Sequence, residues 1–112
     1  MAGLGGGVAG MGEVCGALSA GVAALGLRLG RGDLSESQDR RLFFWGQELY
    51  GWFASLGDCK PEGTVLCREI AETDFRDPAQ LVKWFQLGRF EQCVELTGRT
   101  ASQVANMLRR EA

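Results

Sequence analysis

Residues 10–29 read GMGEVCGALSAGVAALGLRL. Leu18, Val22, Leu25 and Leu29 recur at the three- and four-residue steps of one helix face. Gly12, Gly16, Ala20 and Ala24 fall four apart and form a second stripe with almost no side chain. Both patterns predict a helix over about Gly10 to Leu29, stopped by Gly30 and Gly32. Glycine inside a helix costs roughly 1 kcal/mol relative to alanine. Close approach of another element or a ligand is a reason to keep it. Cys15 stands beside the small-residue stripe, where little bulk shields its thiol.

The next segments read the same way. Ser35 and Gln38 have the spacing of a capping box, with Asp33 and Glu36 as a second frame. A helix is expected from there to about Leu56, ended by Gly57. Leu42, Trp45, Leu49, Trp52 and Leu56 mark one of its faces, and Phe43, Phe44, Tyr50 and Phe53 spread apolar surface beyond it. So wide a band predicts a central helix or a homo-oligomer, most simply a dimer, meeting through this surface. Pro61 and Gly63 mark a loop, after which Thr64 can cap a short helix holding Cys67, Glu69 and Ile70. Asp77-Pro78 places a cap residue before a proline at the first helical position. That helix runs to Leu87 and breaks near Gly88, and a last one covers about Phe90 to Glu111. No segment alternates with period two. The expected fold is all-α, a bundle of four to five helices in one domain over residues 1–112. Residues 1–9 form a glycine-rich, flexible start. Gly5 to Gly10 match G-x-G-x-x-G in form, but no strand precedes them, so a phosphate loop is not expected.

Composition narrows the chemistry. The chain of 112 residues is 46% hydrophobic and 23% charged, ordinary for a globular protein. A net charge of −2 offers no basic field for nucleic acid. The uncharged run Val14 to Leu27 is too short to span a bilayer core of ~30 Å. A cytoplasmic location is expected, with free thiols. There is no histidine, which removes Ser-His-Asp triads, Cys-His dyads and His-containing zinc sites. Chemistry must then run on thiols, carboxylates, Arg, Lys or Tyr50. A carboxylate pair among Glu13, Glu48 and Glu69 has no spacing that brings two together.

The four cysteines are Cys15, Cys59, Cys67 and Cys93, with no C-x-x-C pair and no common zinc or iron–sulfur spacing. By spacing alone each reads as a small buried hydrophobe. Context adds to this. Near the start of a helix, the dipole and unpaired N–H groups favour a Cys15 thiolate, and Arg68 beside Cys67 does the same there.

Cys15-Gly16-Ala17, followed by Leu25-Gly26-Leu27 and Gly30-Arg31, resembles the C_GCAxxG_C_C family of bacterial and archaeal redox-active proteins. Cys67-Arg68-Glu69-Ile70 is similar to that family's next cysteine, typically Cys-Arg-Glu-Leu, and Cys93 in Phe90-Glu91-Gln92-Cys93 to its final one. Ala20 stands where the family has glycine, with Gly21 next. Members carry a helix and a first cysteine before the glycine run, and this chain starts at the run; Cys59 falls outside the family set. The resemblance implies a small helical protein whose reactive residues are Cys15, Cys67 and Cys93, with Gly16 and Arg68 contributing to a binding site. It also implies one of two uses of sulfur. Two thiols can cycle with a disulfide, with a redox partner protein. Alternatively Cys15, Cys59, Cys67 and Cys93 can hold a soft metal or an iron–sulfur cluster. The reading from a different class is a non-catalytic helical interaction or dimerisation module with structural cysteines.

Overall fold

The computed structural model describes residues 2–110. Five α-helices follow a short 3-10 turn at Ala2–Leu4: α1 Gly16–Leu29, α2 Arg41–Ser55, α3 Cys67–Ile70, α4 Pro78–Gln86 and α5 Phe90–Arg109. The protein is all-α. Among the described residues the only β feature is an isolated antiparallel bridge between Val14 and Leu66. No described helix is long and apolar enough to cross a membrane.

Helix α1 packs on both α2 and α5, which also touch each other. Leu18 and Leu25 of α1, Leu49 and Phe53 of α2, and Leu96, Val104 and Met107 of α5 form the core. Gly21 is the position of closest approach. A Cβ there would lie 3.0 Å from Leu49 Cδ2 and 3.2 Å from Val104 Cγ2. Val65 and Ile70 close the core at the end where α3 turns. Outer residues of α2 remain in solvent: Phe43 and Phe44 are 65% and 66% exposed.

Helix α1 starts at Gly16 rather than Gly10. Gly6, Gly7, Val8, Ala9, Gly10 and Gly12 all have positive φ, which a right-handed helix forbids. They form a tight loop with its own hydrogen bonds. Ala9 N donates to Gly3 O at 2.7 Å, Gly12 N to Gly6 O at 2.9 Å and Glu13 N to Gly7 O at 3.0 Å. Gly12 therefore drops out of the helical stripe.

Helix α2 starts at Arg41, not at a Ser35–Gln38 box. The Asp39 carboxylate accepts from Arg41 N at 2.9 Å and from the Arg41 guanidinium, so it holds the helix start. Farther upstream the Asp33 carboxylate accepts from Ser35 N in a local turn. Asp77 caps α4 by accepting from Ala79 N, with Pro78 at the first position. Gly88 turns the chain into α5 at φ +68°. The expected end of the last helix at Glu111 lies outside the described residues.

Candidate thiol site

The bridge between Val14 and Leu66 sets the site. Cys15 N donates to Val65 O at 2.8 Å, and Cys67 N donates to Glu13 O at 2.7 Å. Cys15 thus faces Val65 across the bridge, and Cys67 lies two residues beyond Val65. Such diagonal neighbours share one face and lie roughly 7–8 Å apart between Cα atoms in a regular ladder. Cys15 is the cap residue of α1, and Cys67 is the first residue of α3. Cys93, one turn into α5, joins them. All three cysteines line one cavity of about 500 Å³. None of the four cysteines is in a disulfide.

The glycine-rich loop forms part of the cavity wall. Gly5 and Gly6 line it, beside Leu4. Gly7 is wedged against the site: a Cβ there would lie 2.5 Å from Glu13 O and 2.7 Å from Cys67 Cβ. Gly16 also lines the cavity, and a Cβ on it would lie 2.6 Å from Leu4 O. The small residues at Gly7 and Gly16 thus let backbone pass close to two thiols. Phe75, which packs against Gly6 of the loop, lines the cavity too, with Leu81 and Trp84. No charged side chain is among the described lining residues.

This apolar setting governs the thiols. Burial pushes the Cys67 thiol up to about 11, and charge on Cys15 or Cys93 pushes it the same way. Cys93 is raised by burial and by Cys15, while Arg89 pulls it down. Cys15 is also raised by burial, but three groups oppose this. They are the N–H groups of Ala17 and Leu18 at the start of α1, and the charge of Lys60. The helix start therefore acts on Cys15 as its position predicts, and desolvation outweighs it.

Lys60 carries a role that sequence reading missed. It is 3% exposed. Its ammonium donates to Pro61 O at 2.7 Å, Leu56 O at 3.2 Å and Ala54 O at 3.3 Å, and lies 5.5 Å from the Phe53 ring centroid. The cation caps the last carbonyls of α2 while acting on Cys15. A lysine just past the glycine that ends a helix is the available signal for the first role. Trp84 and Phe75 were also missed. Trp84 meets Phe75 edge to face at 5.0 Å between centroids.

The structure sets Arg68 and Cys59 apart. The Arg68 side chain reaches Glu13 at 3.4 Å and lines a separate polar cleft with Glu72 and Asp74. It contributes nothing to the thiol cavity, because the first turn of α3 carries it away from Cys67. Cys59 belongs to the core cluster. Arg99 Nη1 donates to its sulfur at 3.3 Å, and Gln92 Nε2 donates to its carbonyl at 2.7 Å. Among the described residues, no group of three or more Cys, Asp or Glu side chains is arranged to hold a metal ion. Cys59, in the core against Arg99, lies outside the cavity lined by Cys15, Cys67 and Cys93, so the four thiols do not converge on one metal or iron–sulfur position. Of the three glutamates weighed as a pair, Glu13 and Glu69 both line that polar cleft, where Glu13 pairs with Arg68 and Glu69 accepts from the Thr64 hydroxyl, whereas Glu48 lies apart and pairs with Arg110.

No curated protein and no solved structure matches the chain. A family model described as "Putative redox-active protein (C_GCAxxG_C_C)" matches residues 1–107. That span takes in the glycine loop, Cys15, Cys67, Cys93 and nearly all of α5, and the chain belongs to the C_GCAxxG_C_C family.

Proposed function

We propose that the protein is a dithiol/disulfide redox protein in which Cys15 and Cys67 form the working pair and Cys93 is a third thiol in reach. The observation that carries this reading is the shared cavity of the three cysteines, with Cys59 tied elsewhere by Arg99. Cys15 is the attacking group: burial raises its thiol, but two backbone N–H groups and the Lys60 cation partly offset this, whereas burial and the neighbouring thiols all push Cys67 up. Its thiolate displaces one sulfur of a substrate disulfide, forming a mixed disulfide and releasing the first substrate thiolate, which takes up a proton. Cys67 loses its proton and attacks Cys15 Sγ. The Cys15–Cys67 bond forms, and the second substrate thiol leaves with that proton. Two electrons and two protons pass from the protein to the substrate.

A disulfide needs about 4.4–6.8 Å between Cα atoms, and the bridge between Val14 and Leu66 holds Cys15 and Cys67 as diagonal neighbours on one face.

The test is a redox titration of the native protein against dithiothreitol couples, counting free thiols. Loss of two thiols per chain in one two-electron step supports the proposal, as does an unchanged midpoint in Cys59→Ala. Loss of no thiols, or loss only through bonds between chains, refutes it.

A further inference from the structure

Helix α4, the turn at Gly88 and the start of α5 leave a run of large apolar side chains in solvent. Val82, Phe85, Leu87, Phe90 and Val94 are 40–65% exposed. Val82 and Phe85 are three apart on α4, and Phe90 and Val94 are four apart on α5, so each pair shares a helix side. The Phe85 and Phe90 rings, 6.0 Å apart between centroids, join the two helices into one surface. Trp84 ties this surface to the thiols. Its ring meets Phe85 at 4.9 Å and Phe90 at 6.4 Å, and the same residue lines the cavity of Cys15, Cys67 and Cys93. Cys93 also lies three residues from Phe90, on the same side of α5. An exposed apolar surface joined to three free thiols is placed to receive the molecule that exchanges sulfur with them.

Two properties select the occupant. No charged side chain is among the described residues lining the cavity, so small disulfides that carry carboxylates, such as oxidised glutathione, lose hydration there without compensation. The five side chains offer roughly 400 Å² of apolar surface, about half of the ~800 Å² that each side of a stable interface buries. Areas this small belong to transient redox encounters rather than to permanent dimers. We infer that the surface of Val82, Phe85, Leu87, Phe90 and Val94 docks a redox partner protein whose disulfide sits in an apolar segment, so that the thiols act on protein disulfides in preference to small charged ones. The inference rests on the dithiol reading and names its substrate class. The electron balance is that of the exchange given above: the partner's disulfide is reduced to two thiols as the Cys15–Cys67 bond forms.

The test follows thiol loss from the fully reduced protein with four oxidants. Two are peptide disulfides of equal length and charge, one flanked by leucine and phenylalanine, the other by serine and glutamine. The third is oxidised glutathione, and oxidised dithiothreitol, small and uncharged, is the reference. The apolar peptide is expected to react at least about ten-fold faster than the polar one, and oxidised glutathione to be slower than both. Phe85→Ala should lower the ratio of the apolar-peptide rate to the dithiothreitol rate by at least about five-fold. Val94→Ser, at another exposed position, should lower it in the same direction. Equal rates for the two peptides, or a ratio unmoved in both variants, overturns the inference and leaves the dithiol reading standing. A dimer that Phe85→Ala dissociates assigns the surface to a second copy and also overturns it. A protein that dithiothreitol cannot oxidise fails the dithiol reading instead. The surface is then judged on a cysteine-free version of the apolar peptide, which needs no oxidation. Amide shifts centred on residues 82–94 support it, and shifts elsewhere or none overturn it.

Discussion

Gly7→Ala tests whether the glycine-rich loop is a structural part of the thiol site. Gly7 has φ +72°, where an L side chain costs roughly 1–2 kcal/mol. Its new Cβ would also fall 2.5 Å from Glu13 O, 2.6 Å from Glu13 N and 2.7 Å from Cys67 Cβ. Two of these three are backbone atoms of a hydrogen-bonded loop, so relief requires the loop to move. Forced contacts of this kind cost about 1–3 kcal/mol, giving a total of roughly 2–5 kcal/mol. For a domain of this size that lowers the melting temperature by about 8–20 °C. Gly63→Ala isolates the backbone contribution, because Gly63 has φ +88° and an added Cβ would meet nothing within 4 Å. It should cost only about 1–2 kcal/mol. Gly98→Ala is the opposite control. Gly98 lies inside α5 with nothing within 4 Å, and alanine should stabilise by up to ~1 kcal/mol. Urea denaturation of the three variants gives the energies, and the alkylation rate of Cys67 reports whether the loop has lifted. If Gly7→Ala costs no more than Gly63→Ala and leaves Cys67 reactivity unchanged, the loop does not hold the site.

Lys60→Met should move the Cys15 thiol further up, shifting the pH profile of its alkylation to higher pH, while Lys60→Arg keeps the profile near its original place; superimposable profiles for Met and wild type would contradict the role of the cation. The buried Cys67 thiol makes stability depend on pH. Its pKa rises from an ordinary 9.0 to about 11 on folding, so the folded state holds the proton longer, and stability is full below about 9 and falls as pH rises toward 11. Urea midpoints of Cys67→Ser should fall less steeply over that window than those of wild type. On α2, Phe43, Phe44 and Tyr50 are exposed, and Leu42, Phe43, Gly46 and Tyr50 line an apolar groove with Val22 and Gly26 of α1. We expect this face to join two copies, so that light scattering gives a dimer for wild type and a monomer for Phe43→Glu; a wild type that stays monomeric at all concentrations would refute this.

Local chemistry was legible where one residue type decides a conformation. Asp77-Pro78 starts α4, Gly88 breaks the chain before α5, and Thr64 sits at the entry to α3, its hydroxyl accepting from Leu66 N. The order Cys15, Cys67, Cys93 was legible through the family resemblance rather than through spacing. The start of α1 was not. Gly12 and Gly16 have helical spacing, but Val8 and Ala9 adopt left-handed conformations that their side chains disfavour, held by loop hydrogen bonds across the glycine run. Tertiary packing of the loop on Cys67 outweighs the local preference. The start of α2 was misplaced because several polar residues before it can each make a cap, and Asp39 makes the one used. Gly21, not Gly16, is where α1 meets two helices, since both are small and only the packing partners distinguish them. Lys60 and Trp84 could not be assigned to the site from sequence. A charged residue is ordinarily exposed and an indole is ordinarily core, and only the fold brings each beside the thiols.

The most direct measurement is the mapping of cysteine pairs by mass spectrometry after oxidation of the native protein. The account predicts one disulfide within the chain, between Cys15 and Cys67, with exchange to Cys93 in the Cys67→Ser variant and Cys59 recovered as a free thiol throughout. A native disulfide involving Cys59, or Cys15 recovered unpaired after full oxidation, would contradict it.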